Sequence, residues 1–198
     1  DVAAGLSFTI VPGHVLSRRG RVAPSDKLNI ACIGVGGMGA NDVRGVGKTE
    51  NIYALCDVDE RQALASYTGF PLAKRYKDFR VMLDKEAKSI DAVTVSTPDH
   101  THTVAGMAAM KLGKHVRIQK PLARTLWEVK QLEAQARQSK VATQMGNQGH
   151  CEDGYRKLCE YIWAGVIGKV TETHSWTNRA NGGEGPRPPT KPAPAGMH

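Results

Sequence analysis

Apolar residues along this chain switch between unbroken runs and a helical period, and each switch marks an element. A turn-like "APSDK" (residues 23–27) precedes "LNIACIGV" (28–35), a continuous apolar run that predicts a strand buried on both faces. "NIYALCDV" (51–58) is again strand-like, and "DERQALASY" (59–67) is helical. "DFRVMLDKE" (78–86) predicts a helix with Phe79, Met82 and Leu83 on one face, and "IDAVTVST" (90–97) a further buried strand. A helix over 100–113 ends at glycine, the usual stop residue. "KHVRIQ" (114–119) predicts a short strand, residues 124–139 a strong helix and "VATQMGN" (141–147) one more strand. Strand alternating with helix at this rhythm predicts an α/β fold, a doubly wound parallel sheet with helices on both faces.

From Cys151 onward the rhythm breaks. Residues 155–168 predict a helix, and "KVTETHSWTNR" (169–179) alternates like a half-exposed strand. Residues 182–198 hold five prolines and four glycines without apolar period, a composition that cannot bury enough to order itself. The expected organisation is therefore an arm over 1–26, a nucleotide-binding domain over 27–149, the truncated start of a second, α+β domain over 150–180 and a disordered tail over 181–198. On this pattern the chain is either a fragment or a protein shortened in its second half.

Composition narrows the class. Of 198 residues, 40% are hydrophobic and 23% charged, as in a globular protein with a real core. No stretch reaches the roughly 18 apolar residues of a membrane span. The net charge of +8 favours anionic partners, but no basic run exceeds two residues, which argues against nucleic acid. Cys32, Cys56, Cys151 and Cys159 lack metal-binding spacing, so neither zinc nor a disulfide framework is expected; Cys32 and Cys56 sit in apolar runs as small hydrophobes. "AAGLSFTIV" (3–11) reads either as the end of an export signal, implying a periplasmic or exported protein, or as a surface arm of a cytoplasmic one. Its arginine pair, Arg18 and Arg19, follows the apolar run, the wrong order for a twin-arginine signal.

The chemistry starts at "GVGGMG". Gly34, Gly36 and Gly39 fit G-x-G-x-x-G after a strand and before a helix, with Gly37 to spare. In a Rossmann domain the first glycine makes a tight turn, the second lets a pyrophosphate approach and the third lets the helix pack on the sheet. Phosphates then rest on free N–H groups at the helix start. Asp57 ends the second strand 18 residues after Gly39, where a carboxylate would accept the ribose hydroxyls and repel a 2′-phosphate, favouring NAD over NADP. "STPDHTH" (96–102), "QKP" (119–121) and "MGNQGH" (145–150) end three further strands on the same edge. Thr97 and Pro98 predict a turn and Asp99 a helix cap. Lys120 is placed to point into the crevice.

These motifs resemble the glucose–fructose oxidoreductase/inositol dehydrogenase (Gfo/Idh/MocA) family over roughly residues 27–179. "STPDHTH" is similar to its T-P-N-x-x-H with Asp99 for Asn, and "QKPL" to its E-K-P with Gln119 for Glu. "QKPL" and "GNQGH" resemble a subgroup of exported, sugar-acting bacterial members. The resemblance implies a two-domain NAD(P) enzyme that oxidises a sugar or polyol hydroxyl. It implies that Gly34, Gly36, Gly37, Met38, Gly39, Asp57, Ser96, Thr97, Pro98, His102, Gln119 and Asn147 line the cofactor site. Lys120 would then be the catalytic lysine, its pKa lowered in a partly dry pocket. Gln119 removes a carboxylate that would hold Lys120 charged. The family's second catalytic group is usually a histidine of the second domain; His150 and His174 are the nearest in sequence. Trp127 and Trp163 are expected in the core rather than as sugar platforms, with Trp176 unassigned. Oligomers are expected where a full second domain is present. Two other functions stand beside this one: an NAD-dependent glycoside hydrolase that oxidises transiently at C3, and a non-catalytic nucleotide-binding fragment.

Overall fold

A computed structural model of the chain describes residues 22–176, 192 and 195–197. Most of the expected N-terminal arm and tail, and the end of the strand expected over 169–179, lie outside these residues. The chain divides into two units, one ending at Gly146 and one beginning at Asn147.

The first unit is one six-stranded parallel sheet in the order β3-β2-β1-β4-β5-β6. Its strands are β1 (Asn29–Ile33), β2 (Asn51–Cys56), β3 (Lys74–Tyr76), β4 (Ala92–Val95), β5 (His115–Gln119) and β6 (Thr143–Gly146). The helices are α1 (Gly37–Val46), α2 (Glu60–Gly69), α3 (Phe79–Glu86), α4 (Asp99–Lys111) and α5 (Leu126–Ser139). β1 lies between β2 and β4, in register Ile30 with Ile52 on one side and Ile30 with Ala92 on the other. The order reverses between β1 and β4, the place where open α/β sheets leave a crevice.

Alternation along the buried strands explains the two layers of helices. Ala31 and Ile33 face one way and pack with Met82 and Leu83 of α3, Ala105, Ala109 and Met110 of α4 and Leu132 of α5. Ile30 and Cys32 face the other way, with Val43 of α1 and Ala63 and Tyr67 of α2. Successive strand side chains point to opposite faces, so an unbroken apolar run is what a sheet covered on both sides requires. Cys32 and Cys56 are buried free thiols, pushed by burial up to about 11 and about 12.

Five details differ from the sequence expectation. β3 is three residues long, with two cationic residues among them, too short to show a period; it forms by backbone pairing with β2. Asp99 does not cap α4: Pro98 stands at the cap without a side-chain bond, and Asp99 lies in the first turn, where its charge complements the helix dipole. Trp127 is 70% exposed because the stripe of α5 facing the core runs through Val129, Leu132 and Ala136. Trp163 is 82% exposed. It ends the second unit's helix α6 (Asp153–Trp163), which buries none of its residues. Residues 169–176 form no strand and are exposed, since an isolated alternating segment has no neighbour to take its backbone hydrogen bonds.

Candidate functional site

β1 runs into a turn at Gly34, held at φ +76°, in the left-handed region that favours glycine. A Cβ there would lie 2.7 Å from the carbonyl of Ser96, because the chain leaving β4 crosses against it. Gly39 packs on the Gly34 carbonyl oxygen so closely that any side chain would collide with it. These two glycines do what their motif positions predict. Gly36, just before α1, is demanded by packing alone: its Cβ would meet Cβ of Gln62 on α2 at 2.7 Å. Gly37 is exposed at φ +48°, with no atom within 4 Å of where a Cβ would stand. The supposedly spare glycine is the one that keeps space open.

Asp57, one residue beyond β2, folds back on this turn. Its Oδ2 accepts from the N–H of Val35 at 2.8 Å and of Gly36 at 3.1 Å. Its Oδ1 accepts from the Asp59 N–H at 3.0 Å. The cap of α2 is Asp59, bonded to the Arg61 N–H at 3.0 Å; the Arg61 side chain holds that carboxyl below its ordinary range.

Capping separates the helices of the first unit into two groups. α2, α3 and α5 carry their own caps, from Asp59, Asp78 and the Thr125–Glu128 capping box. α1 and α4 have no side-chain cap. Those two follow β1 and β4, the strands flanking the point where the order reverses. Their first-turn amides lack a side-chain cap, and the dipole at such a start favours an anion.

Asp42, on α1, belongs to no motif, yet it gathers several site residues. Its Oδ2 accepts from Ser96 Oγ at 2.7 Å and from Gln119 Nε2 at 2.7 Å, and its Oδ1 lies 3.1 Å from the Arg117 guanidinium. Gln119 is 4% exposed, and its Oε1 accepts from the Lys120 N–H at 3.2 Å. The only sequence signal for Asp42 is helical phase, since it stands one turn beyond Gly39.

His102 does not line the crevice as expected. It is 1% exposed; Nδ1 lies 2.7 Å from the Pro121 carbonyl oxygen and Nε2 2.7 Å from that of Thr97. The ring therefore braces the turn after β4 to the turn after β5. Thr97 Oγ1 accepts from Thr101 Oγ1 at 2.7 Å. Met38, Pro98 and Lys120 are exposed, and the Lys120–Pro121 peptide is cis. The dry pocket expected around Lys120 is not supplied by this unit. Asn147 opens the second unit, ahead of the 3-10 turn Gln148–Cys151. There His150 meets Tyr155 edge-on at 4.8 Å, and His174 lies 2.8 Å from Glu172. Among the described residues no cluster of three metal-ligating side chains occurs, and no helix is long and apolar enough to cross a membrane.

A wholly parallel sheet with a glycine turn and two uncapped helix starts at its point of reversal defines a dinucleotide-binding domain. A family model described as "Oxidoreductase family, NAD-binding Rossmann fold" matches residues 28–147. The chain belongs to this family, the Gfo/Idh/MocA oxidoreductases, and carries its NAD-binding domain. It is 30% identical over 169 residues to a glycosyl hydrolase family 109 protein of Solibacter usitatus, covering 75% of this chain and 36% of that one. It is 26% identical over 152 residues to inositol 2-dehydrogenase of Salmonella paratyphi B, covering 74% and 45%. Among solved structures, myo-inositol 2-dehydrogenase from Lactobacillus plantarum superposes with a TM-score of 0.67 at 26% identity, covering 73% and 43%. The chain thus spans less than half the length of these relatives.

Proposed function

We propose that this chain is the cofactor half of an NAD-dependent oxidoreductase that removes hydride from a hydroxyl-bearing carbon of a polyol or sugar. One observation carries the reading: the glycine turn after β1 is wedged against Ser96 and Thr97 after β4, and Asp42 ties that turn region to Gln119, next to Lys120. The residues fit a dinucleotide. Gly37 leaves open space, α1 and α4 offer uncapped amides for a diphosphate, and the Asp57 carboxylate suits ribose hydroxyls and opposes a 2′-phosphate. When bound, NAD supplies the hydride acceptor. Lys120 would orient the substrate hydroxyl and take part in moving its proton. The inositol 2-dehydrogenase relatives support a polyol substrate.

Titration calorimetry with NAD and NADP tests the cofactor, and NADH appearance with a panel of inositols and sugars tests the chemistry. Lys120→Met should abolish turnover and leave NAD affinity within about threefold, as expected of a group that acts on substrate rather than cofactor. Absence of NAD binding would overturn the reading. A second reading, favoured by the glycosyl hydrolase family 109 relative, is hydrolysis through transient oxidation at C3. Glycosidic cleavage without net NADH would establish it. Tight NAD binding with neither activity would mark a binding module.

A further inference from the structure

We infer that Asp42 is a positioning residue for the cofactor crevice, and that it dictates an amide rather than a carboxylate at position 119. The inference rests on the NAD-dependent reading above. Asp42 is 11% exposed and reaches from α1 to the ends of two strands, accepting from Ser96 Oγ after β4 and from Gln119 Nε2 at the end of β5, each at 2.7 Å. Arg117, from β5, balances its charge at 3.1 Å. At neutral pH an amide can serve both neighbours of residue 119 where an ionised carboxylate cannot, because Nε2 must donate to Asp42 while Oε1 accepts from the Lys120 N–H. A carboxylate there would stand at hydrogen-bond distance from the Asp42 carboxylate, and two such groups cannot both ionise without strong repulsion. Nor can residue 119 swing away freely. A Cβ on Gly146 would already lie 2.8 Å from Gln119 Oε1 and 3.2 Å from an Arg117 nitrogen, so β6 closes that side. The Asp42–Gln119 pair thus sets where Ser96 and Lys120 stand relative to the glycine turn.

The charge arrangement gives a test by exchange. NADH binding to the 198-residue chain is followed by fluorescence between pH 5.5 and 8.5 for wild type, Asp42→Asn, Gln119→Glu and the double exchange, with thermal melts confirming folding. The charged groups facing residue 119 are Asp42 from α1 and Arg117 from β5, while the adjoining Lys120 meets it through its N–H. Asp42→Asn should weaken binding about tenfold. Gln119→Glu should weaken it similarly at pH 8.5 and recover toward pH 5.5, as one proton comes to be shared between the two carboxylates. The double exchange, which restores one amide and one carboxylate, should return to within about threefold of wild type at every pH. A purely structural role would yield neither the pH-dependent recovery nor the rescue. Wild-type binding with both single variants unaffected, or with no rescue in the double, overturns this inference alone. Failure of wild type to bind NADH overturns the proposed function and takes this inference with it. If Asp42→Asn does not fold, the pH profile of Gln119→Glu decides.

Discussion

Asp57 offers the sharpest test of how the glycine turn is held, because its carboxylate bonds the turn before any ligand arrives. Asp57→Ala removes three acceptances, from the amides of Val35, Gly36 and Asp59. Val35 has no solvent exposure, so its orphaned N–H costs about 1–3 kcal/mol. The amides of Gly36 and Asp59 have water nearer and lose about 0.5–1 kcal/mol each. The sum is about 2–5 kcal/mol, or a fall in Tm of roughly 10 °C for a domain of this size. Asp57→Asn keeps an oxygen for the two turn amides and gives up the bond to Asp59, so it should lose about a quarter as much. Differential scanning calorimetry of the three proteins makes the comparison. Loss of the charge also lifts the repulsion of a 2′-phosphate, about 1–2 kcal/mol for a solvent-exposed pair, so the preference for NAD over NADP should shrink about 5- to 30-fold. If Asp57→Ala melts within about 2 °C of wild type, or if the asparagine variant is as damaged as the alanine one, the carboxylate is not what holds the turn.

Other expectations concern the body of the fold. Glu86 accepts from Lys74 Nζ and from the hydroxyls of Tyr76 and Tyr53 at 2.6–2.8 Å, which draws its carboxyl from the ordinary 4.5 down to about 2. Because the folded value lies below the unfolded one, its contribution is complete above about pH 4.5 and fades as pH falls toward 2. Urea unfolding should therefore find Glu86→Gln weaker than wild type at pH 7, with the gap closing toward pH 2; a constant gap would contradict the ionic account. Met82→Ala, at a fully buried position, should cost about 2–5 kcal/mol in the same assay. Trp127→Ala should cost less than about 0.5 kcal/mol, and a larger loss would return that tryptophan to a packed interface.

Much of the first unit can be read from local pattern. β1, β4 and the second half of β2 are apolar runs because both sheet faces are covered there, and the helices between the strands show their buried stripe. β3 escapes notice because its three residues are placed by pairing with β2 rather than by burial of their own. Residues 169–176 mislead for the opposite reason: they have a strand's alternation and no sheet to join among the described residues. Trp127 shows that hydrophobicity alone does not bury a side chain when its phase lies off the stripe through Val129, Leu132 and Ala136.

The candidate site divides in the same way. The glycine motif, Asp57, the turn at Ser96–Pro98 and Lys120 are legible as short motifs at strand ends, since a strand followed by a loop has a local signature. The partners of those residues are not legible. Asp42 meets Gln119 across 77 positions, and His102 joins the carbonyls of Thr97 and Pro121, which become neighbours only once β4 and β5 lie side by side.

Sequence alone determined most of the first unit's strands and helices and where bare backbone is needed, because propensity, burial period and glycine's freedom act over a few residues. Tertiary structure alone decided that Gly36 answers to Gln62, that Gln119 must be an amide, and that His102 is a brace. Each of those outcomes depends on a contact between strand ends or helices that only sheet order brings within hydrogen-bonding or van der Waals range.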